Sequence, residues 1–345
     1  MTGHRSSRAL IALALAAALT AAGCSSGPDR TPQGGSGTGP ATAPAGRGEA
    51  AAGSALWIDP GSAAARQVKA YEAAGRTADA RILRRISERP AAVWPAGDDP
   101  VPDIARAVGG AAAAGGRTVV LVAYNIPHRD CGQYSAGGAA GAQAYRDWIG
   151  AFADAVGDAS AIVVLEPDAV PHLLDGCARG AVREERLRLL SEAVTRLKRQ
   201  PNTKVYLDAG NPAWVRDPVK LVEPLRRAGV DRADGFSLNV ANFQTNDVVT
   251  AFGTRLSGLL GGARFAVDTS RNGAGPLQGG GEEAWCNPPG RALGTAPTLR
   301  TGEALVDAYL WVKRPGESDG PCRGGPSAGT WWPEYALGLA RRAAG

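Results

Sequence analysis

Three aspartates each stand a few residues beyond an apolar run: Asp130 after VVLVAYNIPHR, Asp168 after VVLEP and Asp319 after YLWVKRPGES. Other polar groups recur in the same place. Asp59 follows LWI, Asp208 follows KVYL, Asn239 and Asn242 sit around the end of FSLNV, Asp268 follows RFAV, and Glu317 closely precedes Asp319. A single acid at a strand end is a polar cap. Several brought to one face repel one another and shift each other's pKa, which has little structural purpose and suits acid–base work. The chain has three histidines, His4, His128 and His172, and no C-x-x-C or Cys/His ligand spacing, so neither a metal nor another cofactor is expected. Clustered carboxylates of this kind fit glycoside hydrolysis, in which one protonated acid serves the leaving oxygen and one carboxylate activates water. Trp57, Trp94, Trp214 and Trp285 lie in or near the same segments, where flat rings can stack on sugar faces. Trp148, in a helical stretch, and Trp311, in a strand, are expected in the core.

For these acids to meet, their strands must run parallel and end on one face. The chain alternates accordingly. SALWIDP, RTVVLVAYNIPHRDC, AIVVLEPD, KVYLDAG, DGFSLNVANF, RFAVDTSRNG and LVDAYLWVKRPG read as strands. AARQVKAYEAAGRTADARILRRISERP, AQAYRDWIGAFADAVG, REERLRLLSEAVTRLKRQ, KLVEPLRRAGV, NDVVTAFGTRLSGLLGG and WWPEYALGLARRAAG read as helices. That alternation predicts an α/β fold with a parallel sheet. Strands this apolar need cover on both faces. Seven or eight such units fit a β/α barrel better than an open doubly wound sheet, and no G-x-G-x-x-G follows the first strand.

The chain has 345 residues, enough for one large domain or two modest ones. MTGHRSSRAL is short and basic, ALIALALAAALTAA is apolar, and AAGC ends at Cys24. Residues 1–23 are expected to be a secretory signal peptide. The small residues before Cys24 resemble a bacterial lipoprotein processing site that would leave Cys24 lipidated, although Ala21 stands where a larger aliphatic residue is preferred. Ordinary cleavage nearby would instead leave Cys24 free. Residues 24–54, rich in Gly, Pro, Ser and Thr, read as a flexible linker, and residues 55–345 as one catalytic domain. An extracellular, membrane-anchored monomer is expected. The net charge of +5 falls to about +3 without Arg5 and Arg8, and no dense Lys/Arg run is present, so nucleic acid is a poor partner. Besides Cys24, the chain holds Cys131, Cys177, Cys286 and Cys322, an even number that predicts two disulfides in an exported protein. Three pairings are open; joining nearest neighbours closes two loops without crossing.

Nine stretches in order resemble glycoside hydrolase family 6, the β-1,4-glucanases: WIDP, AYNIPHRDCGQYSAGGA, IVVLEPDAVP, VYLDAG, GFSLNVANF, VDTSRNG, WCNPPGRALG, WVKRPGESDG and WWPEYALGLA. The resemblance implies a distorted, incomplete parallel β/α barrel and an inverting, metal-free mechanism acting on β-1,4-glucan or cello-oligosaccharides. It implies that Asp168 is the general acid, that Asp130 is a helper carboxylate raising the pKa of Asp168, and that Asp319 is the proposed base. Tyr124 would crowd the reacting sugar, Asp208 would be a further subsite carboxylate, and Lys313 and Glu317 would bind sugar hydroxyls. Trp57, Trp94, Trp214 and Trp285 would be the stacking platforms, and Asn239 joins the expected substrate-binding set. The resemblance also implies the bridges Cys131–Cys177 and Cys286–Cys322. The chain departs from it in three places. Asn211 stands where many relatives carry His, Ser135 precedes Ala136 where relatives use a serine near the attacking water, and Asp217 replaces a second tryptophan beyond Trp214. Arg129 and Arg271 are expected to balance the acids. Short segments after Asp168 and Asp319 predict an open cleft and internal cleavage. The alternative is a glycan-binding lipoprotein on the same scaffold that turns nothing over.

Overall fold

The computed structural model describes residues 55–343. The expected signal peptide, Cys24 lipidation site and linker all fall outside the described residues. Helices α1 (Ala63–Ala73), α2 (Thr77–Ser87) and α3 (Val101–Ala113) precede the first strand. Strands β1 (Val119–Ala123), β2 (Ala161–Leu165), β3 (Thr203–Asp208), β4 (Gly235–Leu238), β5 (Arg264–Asp268) and β6 (Val306–Leu310) follow. Helices α4 (Ala142–Val156), α5 (Gly180–Leu197), α6 (Val219–Ala228) and α7 (Asn246–Leu259) connect successive strands from β1 to β5. A long loop leads from β5 to β6, and α8 (Pro333–Arg342) closes the domain. The strands are all parallel and pair in chain order.

Alternation along each strand divides the apolar residues between two layers. Val120 and Val122, Ile162 and Val164, Tyr206, Ala266, and Ala308 and Leu310 fill the inside of the curled sheet. Val119 and Leu121, Val163 and Leu165, Val205 and Leu207, and Phe236 and Leu238 pack outward against the helices. Both faces are covered, so the strands read as unbroken apolar runs. In α4, Tyr145, Trp148, Ile149, Phe152, Ala153 and Val156 recur at helical spacing and are all buried. Each large side chain there contributes roughly 1.5–3 kcal/mol; a charge at Phe152 would unseat the helix. Trp311 is buried among α1, α2 and α8, so both tryptophans assigned to the core lie there.

Among the described residues six strands form instead of seven or eight. SALWIDP makes a single parallel bridge, Leu56 to Thr118, before the Pro60–Gly61 turn and the Ser62 N-cap divert the chain into α1. The seam between β1 and β6 is closed by two residues. Ala92 donates to the Trp311 carbonyl (2.9 Å), while Val93 donates to Val120 and accepts from Val122, each at 2.9 Å. The long helical stretch from residue 63 splits into α1 and α2 at Gly75, which takes φ 71°. Helix α3, over a Gly/Ala-rich stretch with no predicted element, packs tightly: a Cβ on Gly110 would lie 2.7 Å from the Trp57 ring.

Candidate active site

Buried carboxylates stitch the strand ends together. Glu166, just beyond β2, accepts the N–H groups of Asn125 (2.9 Å) and Ile126 (3.0 Å), which follow β1. Asp208, ending β3, accepts the N–H groups of Asp168 (2.9 Å) and Gly210 (3.2 Å) and the Ser237 hydroxyl (3.3 Å). Asp268, ending β5, accepts the N–H groups of Ala241, Ser270 and Lys313 at 2.9 Å and of Val312 at 3.2 Å. All three acids are buried, and without such donors each would cost several kcal/mol to bury. Converging acids therefore do have a structural purpose here: they anchor one connecting segment to the next. Burial pushes Glu166 up to about 7, against the pull of its two backbone donors. Asp208 and Asp268 are raised for the same first reason.

Asp168 is carried on this frame. It lies across Pro167 from Glu166, and both acids take left-handed φ, 70° and 49°, a conformation costing of order 1–3 kcal/mol at a non-glycine residue. Burial, then the charges of Asp208, Asp130 and Asp175, push the Asp168 carboxyl well above the usual carboxylate range.

Asp130 comes from the loop after β1. Its carboxylate accepts the Ser135 N–H at 2.6 Å. Burial raises its pKa, while the Ser135 bond, His172 and Arg129 pull the other way. Cys131 is bridged to Cys177, tying this loop to the one after β2. Arg129 donates to the carbonyls of Tyr124 (2.6 Å) and Ser135 (2.8 Å) and lies 4.6 Å over the Tyr124 ring, so it clasps the loop while its charge favours ionised Asp130 and Glu166. Arg186, buried within α5, donates to the His128 carbonyl (2.9 Å) and to Ala169 (3.4 Å), joining the same two loops. Its place on the apolar face of α5, beside Leu187 and Leu190, is the only sequence signal for that role.

Asp319 sits in the opposite electrostatic setting. Arg271 donates to it at 2.8 Å, the Asn287 N–H at 2.9 Å, and the Lys313 ammonium stands 3.5 Å away. Burial opposes ionisation, but Arg271, Lys313 and the hydrogen bonds outweigh it and hold the carboxyl below its usual range. The second bridge, Cys286–Cys322, closes the loop pair that carries Asn287 and Asp319.

Asp130, Asp168 and Asp319 line one cleft of about 530 Å³ with Tyr124, Ser135, Asn211, Lys313, Trp94, Trp214 and Trp285. The Trp94 indole donates to the Val312 carbonyl (2.8 Å), and its ring meets Tyr124 edge-on. Asn211 uses its Oδ1 to accept the N–H groups of Ala213 (3.0 Å) and Trp214 (3.2 Å), so it shapes the turn that presents Trp214. Four expected residues lie elsewhere. Trp57 is buried between sheet and helices, since its neighbour Leu56 takes the inward position. Asp208 is enclosed below Asp168, Asn239 spends its amide on Gln244 and Asp268, and Glu317 is buried against Arg314 (2.7 Å). Tyr134, His172 and Asp175 also line the cleft and carried no sequence assignment. Ligand atoms of Cys131, His172 and Cys177 fall within 4.8 Å of one another, but the two sulfurs are bonded together and offer no thiolates to a metal.

The family model for glycosyl hydrolases family 6 matches residues 51–343. The chain belongs to that family. It is 43% identical to Endoglucanase 1 of Streptomyces halstedii over 291 residues, covering 81% of this chain and 87% of that one. It is 40% identical to Endoglucanase A of Cellulomonas fimi over 294 residues, covering 84% of this chain but 62% of the longer Cellulomonas protein. Among solved structures, the fold matches the endoglucanase Cel6 of Mycobacterium tuberculosis with a TM-score of 0.77 at 43% identity, over 84% of this chain and 97% of that one. That structure holds a methyl-cellobiosyl-4-deoxy-4-thio-β-D-cellobioside. The curled, incomplete barrel of six parallel strands is thus the family 6 fold.

Proposed function

We propose that this family 6 protein is an endo-acting, inverting β-1,4-glucanase. Inversion and internal cleavage are what the family resemblance implies. One observation carries the acid–base part of the reading: two carboxylates in the same cleft are driven in opposite directions, Asp168 up and Asp319 down. That split is what an acid and an ionised partner need at one pH. Asp168 holds its proton at the carboxyl and gives it to the leaving glycosidic oxygen. Asp130 keeps negative charge beside it and raises its proton affinity. Asp319, ionised among Arg271, Lys313 and Asn287, polarises the water that attacks the opposite face of the sugar. The Tyr124 ring, fixed by Trp94 and Arg129, presses the reacting sugar away from its relaxed chair. Trp94, Trp214 and Trp285 offer apolar faces along the cleft for the flanking glucose rings.

Two disulfides suit an oxidising compartment, and Cys24 supplies a lipid anchor to the cell surface. Mass spectrometry of the mature N-terminus checks the anchor: a diacylglyceryl adduct on Cys24 supports it, and an unmodified terminus elsewhere refutes it. For the activity, the purified protein is incubated with carboxymethyl cellulose beside Asp168→Ala. Viscosity should collapse ahead of the rise in reducing ends, and the variant should do neither. Binding of cello-oligosaccharide without turnover in the unmodified protein would favour the non-catalytic glycan binder.

A further inference from the structure

We propose that His172 is a positioning residue that holds Asp130 in place beside Asp168, through an imidazole fixed in turn by Asp175. The inference rests on Asp130 being the helper carboxylate described above. His172 lies in the short turn Pro171–Leu173, immediately after Asp168. Its N–H donates to the Asp168 carbonyl (3.0 Å), and its own carbonyl accepts from Ala178 (3.1 Å), so its backbone is pinned at both ends. The side chain is 7% exposed. Nδ1 meets Asp175 Oδ2 at 2.8 Å, which fixes the ring, and Nε2 faces Asp130 Oδ1 at 4.0 Å. The Cys131–Cys177 sulfurs lie within 4.8 Å of the ring nitrogen that faces them, and the ring edge rests on Trp214, with centroids 4.9 Å apart.

Asp130, from the loop after β1, and Asp175, from the loop after β2, face the two ring nitrogens. Arg129 acts on Asp130, Arg186 on Asp175, and both carboxylates act on Asp168, while Trp214, from the loop after β3, packs against the ring edge. An imidazole between two carboxylates is an unusual use of polar groups if its work is packing. With Nδ1 committed to Asp175, the ring presents one fixed nitrogen to Asp130. A separation of 4.0 Å is too long for a direct hydrogen bond and closes to one with a small shift on substrate binding. Asp130 then keeps one orientation and one distance from Asp168, which sets the field that raises the acid.

The test compares His172→Phe, Asp130→Asn and the double variant. Phe keeps the ring edge on Trp214 and removes both nitrogens. The expected result is a melting temperature within a few degrees of the unmodified protein and cellotetraose affinity, read by tryptophan fluorescence, within about 2-fold. The expected kcat loss is roughly 10–100-fold with a displaced pH profile of kcat/KM. Added to Asp130→Asn, the His172 change should cost almost nothing further, because it acts through that carboxylate. Losses that multiply, or a raised KM with kcat and the pH profile unmoved, would overturn the proposal and leave His172 as packing under Trp214. Should His172→Phe fail to fold, His172→Gln, which keeps a donor for Asp175, is read in the same cycle. An Asp130→Asn variant with full kcat would overturn the helper role itself, and this inference with it.

Discussion

The backbone N–H of Asp168 donates to Oδ2 of Asp208 at 2.9 Å. The group read as the general acid is thereby set on a second, fully buried carboxylate. The contact has two consequences: it fixes the left-handed turn at Asp168, and it brings a negative charge against the acid from below. The Asp208 charge thus favours the protonated form of Asp168, second only to burial, and Asp208 is not among the residues lining the cleft.

Replacing Asp208 by Asn separates those two effects. Asn can still accept from Asp168 and Gly210, and Ser237 can reverse its hydrogen bond, so the melting temperature should change by only a few degrees. The charge is lost, and a raised acid loses one of its causes. The alkaline limb of kcat/KM should move to lower pH, by about one unit or less. A pH–rate series on a soluble cello-oligosaccharide checks this.

Asp168→Asn removes the proton donor. Turnover of cellohexaose should fall by about 10²–10⁴. An aryl β-cellobioside whose leaving group departs without protonation should lose far less. Steady-state rates on the two substrates, measured side by side, decide whether Asp168 acts on the leaving oxygen.

Arg271 is wholly buried against Asp319 and stacks 4.4 Å over Phe243. Arg271→Met leaves buried Asp319 with only Lys313 and the Asn287 N–H for its charge and should cost up to roughly 3–5 kcal/mol in urea denaturation. Asp319 is depressed in the folded state, so its contribution is present above its unfolded pKa and lost as pH falls through the folded one. The stability gap between the two proteins should accordingly narrow in acid.

Glu166 shows the reverse sign. Its folded pKa of about 7 lies above the ordinary 4.5, so the folded state binds the extra proton and stability declines as pH rises between those values. Urea midpoints at pH 5 and pH 8 should show a smaller decline in Glu166→Gln than in the unmodified protein. The variant should also be less stable at pH 5 by about 1–3 kcal/mol, since one donor now faces an amide N–H₂, and that deficit should shrink or vanish at pH 8, where only the unmodified protein buries a charge.

Much of this was legible in the sequence because strand ends announce themselves. β1, β2, β3 and β5 lie where apolar runs meet a polar residue, and Asp130, Asp168 and Asp319 do converge on one cleft. The two bridges likewise follow the nearest-neighbour pairing. Other features were hidden for identifiable reasons. Asp208 and Asp268 look like reactive acids in sequence, Glu166 drew no assignment, and only hydrogen-bond geometry reveals all three as acceptors for neighbouring backbone. Trp57 stands beside a strand end like the other platforms, but the pleat turns it toward α3. His172 and Asp175 are three residues apart in a stretch with no periodicity, so nothing local predicts that Asp175 fixes the His172 ring or that the ring faces Asp130.

The stereochemistry of the first bond cleaved tests the central claim most directly. Cellohexaose is mixed with the purified protein and followed by proton NMR before mutarotation proceeds. The account predicts new reducing ends in the α configuration, and none with Asp168→Asn. New reducing ends in the β configuration would mean that a carboxylate attacks the sugar itself, and would contradict the assignment of Asp319 and its water.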